Sequence, residues 1–174
     1  MRKNNTDFLK ECMADALIEL MKNDSVEKIT VIQITNKAGV GRATWFRHFD
    51  SKNEALTFKL VKLWYDWTYE HGMDKTKKYT ANNALDFFVF SFNTKELFNL
   101  IYKNKLQSVI YDAFYQIVIP QHRDDPIECY KSRFISHGLF GLLDEWIKRD
   151  YKESPPEMSE LFHNSLKGVV FAVQ

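Results

Sequence analysis

The chain has 174 residues, of which 45% are hydrophobic and 27% charged, and its formal net charge is +1 at pH 7. This length allows one or two small domains with a hydrophobic core, and the charge excludes a protein that is polycationic throughout. Cys12 and Cys129 have no paired spacing, the polar N-terminus lacks a secretory signal, and no apolar run reaches the ~20 residues of a membrane span. We therefore expect reduced thiols, no membrane partner and a cytoplasmic location.

Helical periodicity dominates the first third of the chain. Apolar residues recur every three or four positions from Phe8 to Met21, which predicts one amphipathic helix. Thr30 and Gln33 have the spacing of a capping box, in which each side chain bonds the other residue's backbone N–H. A second, short helix is therefore expected to begin at Val31.

A glycine turn follows this second helix. Gly39 accepts the positive φ that ends a helix, and a third helix is expected from Gly41 or Arg42 to near Phe49. Two short helices joined by a tight glycine turn have the geometry of a helix-turn-helix, whose second helix enters the major groove of B-DNA. A plain connector is the alternative interpretation of any single Gly-x-Gly.

Further start signals predict the remaining helices. A capping box at residues 51–54 predicts the start of a long helix, and the polar segment 72–79 is interpreted as a linker. Pro126 and Pro155 are expected to occupy the first positions of two further helices. Helical segments are also expected at about 82–92, 95–102 and 106–121. No stretch alternates as a strand does, so we predict an all-α fold of about nine helices. Its predicted domains are a three-helix helix-turn-helix DNA-binding domain at 1–65 and a larger helical ligand-binding and dimerisation domain at 66–174.

One stretch resembles a known family. The segment ITVIQITNKAGVGRATWFRHFDSKNEAL, residues 29–56, is similar to the signature of TetR-family transcriptional regulators, and the likeness extends over about residues 8–62. The later segment FISHGLFGLLDEWIKRDYKESPPEM, residues 134–158, looks like the C-terminal domains of a subgroup that includes dihydroxyacetone-kinase regulators. The resemblance implies a DNA-binding regulator.

The third helix carries the predicted DNA-contacting side chains. Arg42 and Arg47 can reach bases or phosphates, and Lys52, in the first turn of the next helix, can hold a phosphate together with free backbone amides. The resemblance implies that Trp45 faces the core. It also implies that some residues contact the DNA backbone, namely Thr30, Thr44, His48 and Lys52, and that others lie where base readers sit, namely Arg42, Ala43 and Arg47. Together with Phe46 these residues make up the predicted site.

Three positions depart from the family pattern. Phe46 replaces the usual tyrosine and so lacks a phosphate-binding hydroxyl. Gly41 replaces a common serine and weakens the cap of the third helix. Thr35 replaces the usual alanine, so the two helices are expected to lie slightly farther apart.

Aromatic residues are concentrated between residues 85 and 119, where nine occur. One interpretation is an ordinary core, since a helix buried on all sides is apolar all round. The other is a cavity for a small apolar or aromatic ligand with tyrosine hydroxyls as polar handles. The predicted pocket residues are Phe88, Phe92, Tyr102, Tyr111 and Tyr115.

The last two predicted helices carry broad apolar stripes. Such stripes on two helices from each of two chains would form a four-helix bundle about a two-fold axis, and packing within one chain is the alternative. The predicted interface residues are Phe134, Gly138, Leu142, Trp146, Phe162, Leu166 and Val169.

These observations predict a ligand-responsive, sequence-specific DNA-binding transcriptional regulator, specifically a repressor that acts as a homodimer on a palindromic operator in double-stranded DNA. The alternative is an adaptor or coactivator of the same fold that acts through a partner protein. No catalytic or phosphate-loop motif occurs, so we expect neither an enzyme nor a cofactor. His122, Asp124 and Asp125 could be read as metal ligands, but their proline-flanked loop indicates a turn and no metal is expected.

Overall fold

The computed structural model describes the backbone of residues 5–72, 84–118 and 125–167, and the statements below refer to these ranges. They contain nine α-helices and no strand, which confirms the all-α prediction. The helices are α1 (Asn5–Met21), α2 (Val31–Ala38), α3 (Arg42–His48), α4 (Lys52–Glu70), α5 (Ala84–Asn93), α6 (Lys95–Lys103), α7 (Gln107–Val118), α8 (Pro126–Lys148) and α9 (Pro155–Lys167).

The chain divides into two compact units. The first consists of Met1–Tyr65 and Leu97–Ile117, and the second of Asp66–Glu96 and Val118–Gln174. Residues 97–117 thus group with the N-terminal helices, although the sequence assigns them to the C-terminal domain. The functional division at residue 65 stays a prediction.

Local start signals fall where the sequence places them. Backbone N–H groups of α2 and α8 donate to the side chains of Thr30 and Asp125, which precede these helices, and Pro126 occupies the first position of α8. These caps satisfy N–H groups that have no partner inside the helix. The predicted segment 106–121 is observed as α7 up to Val118, and residues 119–121 lie outside the described ranges, as do residues 73–79 of the predicted linker.

The first unit is held by apolar packing and by pairs between α1 and α4. Helix α1 packs against α2, and α2 packs against α3. The Lys10 ammonium lies 4.3 Å from the ring centroid of Phe58, a cation–π distance. Lys59 Nζ lies 2.6 Å from a carboxylate oxygen of Asp15. These contacts hold α4, which follows the helix-turn-helix, against α1.

The second unit has an aromatic core. Helix α5 packs against α9, and Phe88 of α5 is fully buried. Its ring lies 5.8 Å from that of Trp146 and 6.4 Å from that of Phe162, both in edge-to-face arrangements. Such pairs are favoured by the quadrupoles of aromatic rings. No helix in the described ranges combines the length and the apolar character that crossing a membrane requires.

Candidate nucleic-acid interface

The turn between α2 and α3 has the predicted backbone geometry. Gly39 has φ 68° and ψ 30°, in the left-handed region, and its N–H bonds the carbonyls of Thr35 and Asn36. The N–H of Val40 then donates to the Thr35 carbonyl at 3.0 Å. A Cβ atom at Gly39 would meet no heavy atom within 4 Å, so glycine serves here for its positive φ rather than for space.

Helix α2 is anchored by its cap and by its buried face. The Gln33 N–H donates to Thr30 Oγ1 at 3.3 Å, and the Thr30 N–H donates to Gln33 Oε1 at 2.8 Å, which confirms the predicted capping box. Ile34 and Thr35 are buried. The Thr35 hydroxyl donates to the Val31 carbonyl at 2.9 Å, so this buried polar side chain is satisfied within its own helix.

Helix α3 has one buried side and one exposed side. Trp45 is only 2% exposed and its ring lies 5.3 Å from that of Phe49, so the prediction that Trp45 faces the core is confirmed. Thr44 and His48 are half-buried at the flanks. The opposite side presents two pairs of residues at i and i+4, which lie on one helix face. These exposed residues are Arg42, Ala43, Phe46 and Arg47.

The two unusual positions of α3 leave its exposed face open. Phe46 is 61% exposed and lies between two arginines on that face. Gly41 is the N-cap, with φ −77° and ψ 152°, and no side chain caps the helix there. A Cβ atom at Gly41 would meet nothing within 4 Å. The surface is therefore cationic and apolar together, a combination that suits phosphates, guanine edges and thymine methyl groups.

Lys52 lies at the start of α4, but its ammonium has partners within the protein. Its Nζ donates to the carbonyl of Ile29 at 2.9 Å and also to the carbonyl of Val26. Sequence reasoning missed these contacts because the acceptors are backbone atoms 23 and 26 residues away, and main-chain carbonyls leave no signature in side-chain identity. The Lys52 phosphate contact stays a prediction.

Comparison with known proteins adds a second, independent stretch of the chain. A family model described as "Transcriptional regulator C-terminal region" (TetR_C_8) matches residues 68–168, more than half of the sequence. The chain belongs to the TetR family of transcriptional regulators. The matched region lies outside the helix-turn-helix signature at residues 29–56, so two different parts of the chain point to the same family. The subgroup related to dihydroxyacetone-kinase regulators stays a prediction.

The fold of this TetR-family protein also matches a solved structure. The crystal structure of a TetR transcriptional regulator from Rhodococcus sp. RHA1 superposes with a TM-score of 0.58, over 98% of this chain and 100% of that one. The two sequences are 15% identical, so the likeness concerns the fold alone. A search among curated proteins finds no match.

The predicted ligand-pocket residues of the TetR-family chain fall into both compact units. Phe88 and Phe92 belong to the second unit, whereas Tyr102, Tyr111 and Tyr115 belong to the first. Phe88 contributes to the aromatic core of its unit, as the core interpretation expects, and the rings of Tyr111 and Tyr115 stack at 6.4 Å. The pocket stays a prediction.

Two buried hydroxyls in the second unit were not singled out from the sequence. Within the described residues, the side-chain oxygens of Ser91 and Tyr151 are buried and have no hydrogen-bond partner. The Tyr151 ring packs against those of Trp146 and Phe92, at 5.1 and 6.1 Å. Burial and the nearby charge of Asp150 raise the pKa of the Tyr151 hydroxyl above its ordinary value. No sequence motif marks a hydroxyl that lacks a partner, because its burial depends on the packing of several helices.

The predicted dimer residues separate into exposed and buried ones. Trp146 and Phe162 lie in the core of the second unit, so their side chains are turned away from the surface, contrary to an interface role by direct contact. Leu142 is half-buried, while Phe134 and Gly138 are exposed. The Leu166 side chain and Val169 lie outside the described residues.

The exposed apolar side chains of α8 extend beyond the predicted set. Ile127, Tyr130 and Phe134 follow one another at spacings of three and four and are all more than 60% exposed, which places them on one helix face. The sequence grouped the buried Trp146 with the exposed Phe134, because an apolar stripe alone does not tell which part packs inside the chain, and the dimer interface stays a prediction.

The predicted absence of a metal concerns a loop that is partly outside the described residues, since His122 and Asp124 lie there. Asp125 serves as a cap: its Oδ1 accepts the N–H of Ile127 at 2.9 Å. Among the described residues, no group of three or more His, Cys, Asp or Glu could hold a metal ion.

Proposed function

We propose that this TetR-family regulator binds DNA in a sequence-specific manner, as a ligand-responsive homodimeric repressor on a palindromic operator. The observation that carries the proposal is the exposed face of α3. This face exposes Arg42 and Arg47, and α3 contains no acidic residue. On the opposite side of the helix, the ring of Trp45 is buried in the core. A short rigid helix with two exposed guanidinium groups fits the major groove, where arginine bonds guanine O6 and N7.

The remaining predicted residues have roles around this helix. Arg42, Ala43 and Arg47 lie on the face that would meet base edges, and Thr44 and His48 flank it toward the phosphates. The Thr30 hydroxyl is engaged in the α2 cap, so its phosphate contact would add to an existing hydrogen bond with Gln33. The exposed Phe46 ring would pack against a thymine methyl group or a deoxyribose.

Dimer formation is supported by the exposed apolar face of α8. Large apolar side chains at Ile127, Tyr130 and Phe134 favour a partner, because burying them removes apolar surface from water. Exposed glycines at 138 and 141 continue the same helix. In the proposed homodimer a two-fold axis relates the two copies of α3, which would enter successive major grooves, ~34 Å apart.

Ligand response is proposed for the second domain. A small apolar or aromatic molecule that prefers one arrangement of the aromatic helices would change the spacing of the two α3 helices. Helix α4 runs from the helix-turn-helix into residues of the second unit and offers a continuous connection. Operator and ligand would then oppose each other by an equal coupling free energy in both directions.

The test is the variant Arg47→Ala, compared with Arg149→Ala. Both remove one arginine, but Arg149 lies in the second unit, where it pairs with Glu153 on the surface. We expect Arg47→Ala to weaken binding to a selected operator by about tenfold or more, the scale of a lost bidentate base contact. Arg149→Ala should bind as the wild type does. Unchanged binding by Arg47→Ala would show that α3 is not the reading helix.

An adaptor that acts through a partner protein is the second candidate. It is favoured by the exposed Phe46 ring and by the uncapped Gly41, because an exposed aromatic side chain is common at protein interfaces. The two candidates differ in their response to salt. Binding of duplex DNA should weaken steeply as salt rises if the protein neutralises phosphates. A weak, salt-insensitive interaction with DNA would favour the adaptor.

A further inference from the structure

The loop that leads from α1 into the helix-turn-helix is held from two sides. The Val26 N–H donates to Oδ1 of Asn104 at 2.8 Å, and the Val26 carbonyl accepts a hydrogen bond from the Lys52 ammonium. Both polar groups of one buried residue are therefore satisfied by side chains that are distant in sequence. Such pairing is required because an unpaired backbone group costs free energy when it is removed from water.

Asn104 directly follows the last residue of α6. It is 7% exposed, and its Nδ2 donates to the carbonyl of Leu100 at 2.9 Å, which directs Oδ1 toward the loop. The N–H of Leu106 returns to the Ile101 carbonyl at 3.1 Å and closes the turn after the helix. Lys105 adopts φ 58° within this turn. The amide of Asn104 thus has a fixed orientation and one acceptor for Val26.

Lys52 holds the other side of the loop. Its ammonium donates to the carbonyls of Val26 and Ile29, and Ile29 directly precedes Thr30, the N-cap of α2. The lysine is half-buried and uses two of its three N–H donors in these bonds. Charge-assisted hydrogen bonds are stronger than neutral ones. They join the first turn of α4 to the loop that ends at the N-cap of α2.

We propose that Lys52 and Asn104 are positioning residues for DNA binding. Together they clamp the loop at Val26 and Ile29, set the position of α2 and, through the glycine turn, the reading face of α3. Lys52 acts through this clamp rather than by neutralising a phosphate. The inference rests on the proposed DNA-binding function, and it places one residue of the DNA-binding machinery outside residues 1–65.

The positioning role of Lys52 is tested by measuring how operator binding depends on salt concentration. The variant Lys52→Met keeps the length of the side chain but has no charge and no donor, and Lys28→Met removes the same charge from an exposed position in the same loop. We expect Lys52→Met to weaken binding about tenfold or more, the scale of a lost charge-assisted hydrogen bond, and more than Lys28→Met does. The slope of log K against log salt should stay that of the wild type. If Lys52 instead contacted a phosphate, its replacement by methionine would make that slope shallower by about 0.9.

The role of Asn104 is tested with Asn99→Ala as the control, since Asn99 is an exposed asparagine of α6, the helix that Asn104 follows. In the full-length protein, Asn104→Ala should raise the hydrogen-exchange rate of the Val26 amide and weaken operator binding to a similar extent as Lys52→Met. Asn99→Ala should change neither quantity. The double variant should lose less affinity than the product of the two single losses, because both substitutions release the same loop.

The possible results distinguish a failure of the proposed clamp from a failure of the proposed DNA-binding function. A reduced salt slope for Lys52→Met, or faster Val26 exchange in Asn104→Ala with unchanged affinity, would overturn the clamp. A wild-type protein that enriches no DNA sequence would reject the proposed function, while the exchange rates still report whether the loop is held. Lys52→Arg keeps the positive charge and the N–H donors, so it should bind the operator more tightly than Lys52→Met does. If Lys52→Met does not fold, Lys52→Gln, which keeps an N–H donor without charge, replaces it.

Discussion

At the scale of single residues, Gly41 is the position where a substitution should improve the helix-turn-helix. Its backbone is extended, its missing side chain leaves α3 without a cap, and a Cβ atom there would meet nothing within 4 Å. Gly41→Ser should raise the free energy of unfolding by about 0.5 to 1 kcal/mol. The added hydroxyl can accept an N–H of the first turn, and the unfolded chain loses conformational freedom. Denaturant unfolding measures the change.

Gly39→Ala is the control for this prediction. It likewise adds a Cβ atom, two residues earlier, where φ is 68°, and should lower the free energy of unfolding by about 1 kcal/mol because alanine is strained in the left-handed region. If both substitutions had the same sign, backbone conformation would not be what distinguishes the two glycines.

Tyr151 carries the clearest prediction about pH. Among the described residues, nothing pairs with its buried hydroxyl, so Tyr151→Phe should raise the free energy of unfolding by about 1 kcal/mol at neutral pH. The pKa of this hydroxyl is raised by burial and by the charge of Asp150. The unfolded chain therefore loses this proton before the folded protein does, so wild-type stability is unaffected by the hydroxyl's ionisation below the pKa of an unfolded tyrosine, about 10, and falls as pH rises beyond it.

The pH profile of unfolding checks this sign. From pH 10 upward, wild-type stability should fall more steeply than that of Tyr151→Phe, while Tyr69→Phe, which changes a tyrosine that is 72% exposed and lies outside the proposed dimer face, should follow the wild type. A Tyr151→Phe variant that is less stable at pH 7 would mean that the hydroxyl has a partner beyond the described residues.

Some residue roles could be predicted from sequence and others could not. Some features depend only on neighbours within four positions, so the residue types there were enough to predict them. These features are the caps at Thr30 and Asp125 and the left-handed Gly39. The partners of Lys52 and Asn104 lie across the fold. No local pattern states that a lysine at a helix start meets two carbonyls of an earlier loop, or that an asparagine after α6 meets the same loop.

At the scale of helices, the exposed face of α8 makes a prediction about Gly138. A Cβ atom there would meet nothing within 4 Å in the single chain, and alanine favours a helix over glycine by about 1 kcal/mol. Gly138→Ala should therefore stabilise the isolated chain. It should weaken dimer formation, because the added methyl group prevents close approach of two α8 helices.

Two measurements on the same variant separate these effects. Denaturant unfolding at low protein concentration reports the stability of the chain, and sedimentation equilibrium reports the dimer dissociation constant. Gly138→Ala that is more stable and dimerises as tightly as the wild type would show that this face of α8 is not the interface.

Helix boundaries followed from local signals, whereas the outward face of α8 did not. The start of α8 at Pro126 could be predicted, because aspartate and proline at a helix start act within one turn. Trp146 and Phe134 both belong to apolar stripes of α8, yet one is buried and the other is 69% exposed. Which side of α8 faces inward depends on packing with residues far apart in sequence, such as Phe88 and Phe92 of α5 against Trp146.

At the scale of the whole molecule, the fold class was predictable and the grouping of helices was not. Helical periodicity and the absence of strand alternation predict an all-α chain, as observed in the described ranges. Residues 97–117 group with the N-terminal helices, which depends on contacts between segments far apart in sequence. The family is carried by two stretches, the signature at 29–56 and the region 68–168 that matches the TetR_C_8 model.

We propose that α3 of a homodimer reads a palindromic operator, and the decisive measurement is the selection of bound sequences from a random pool of duplex DNA by the purified 174-residue protein at near-physiological salt. We expect an enriched palindrome whose half-sites are ~34 Å apart, together with loss of that enrichment in Arg47→Ala. A folded, dimeric protein that enriches no sequence would contradict it.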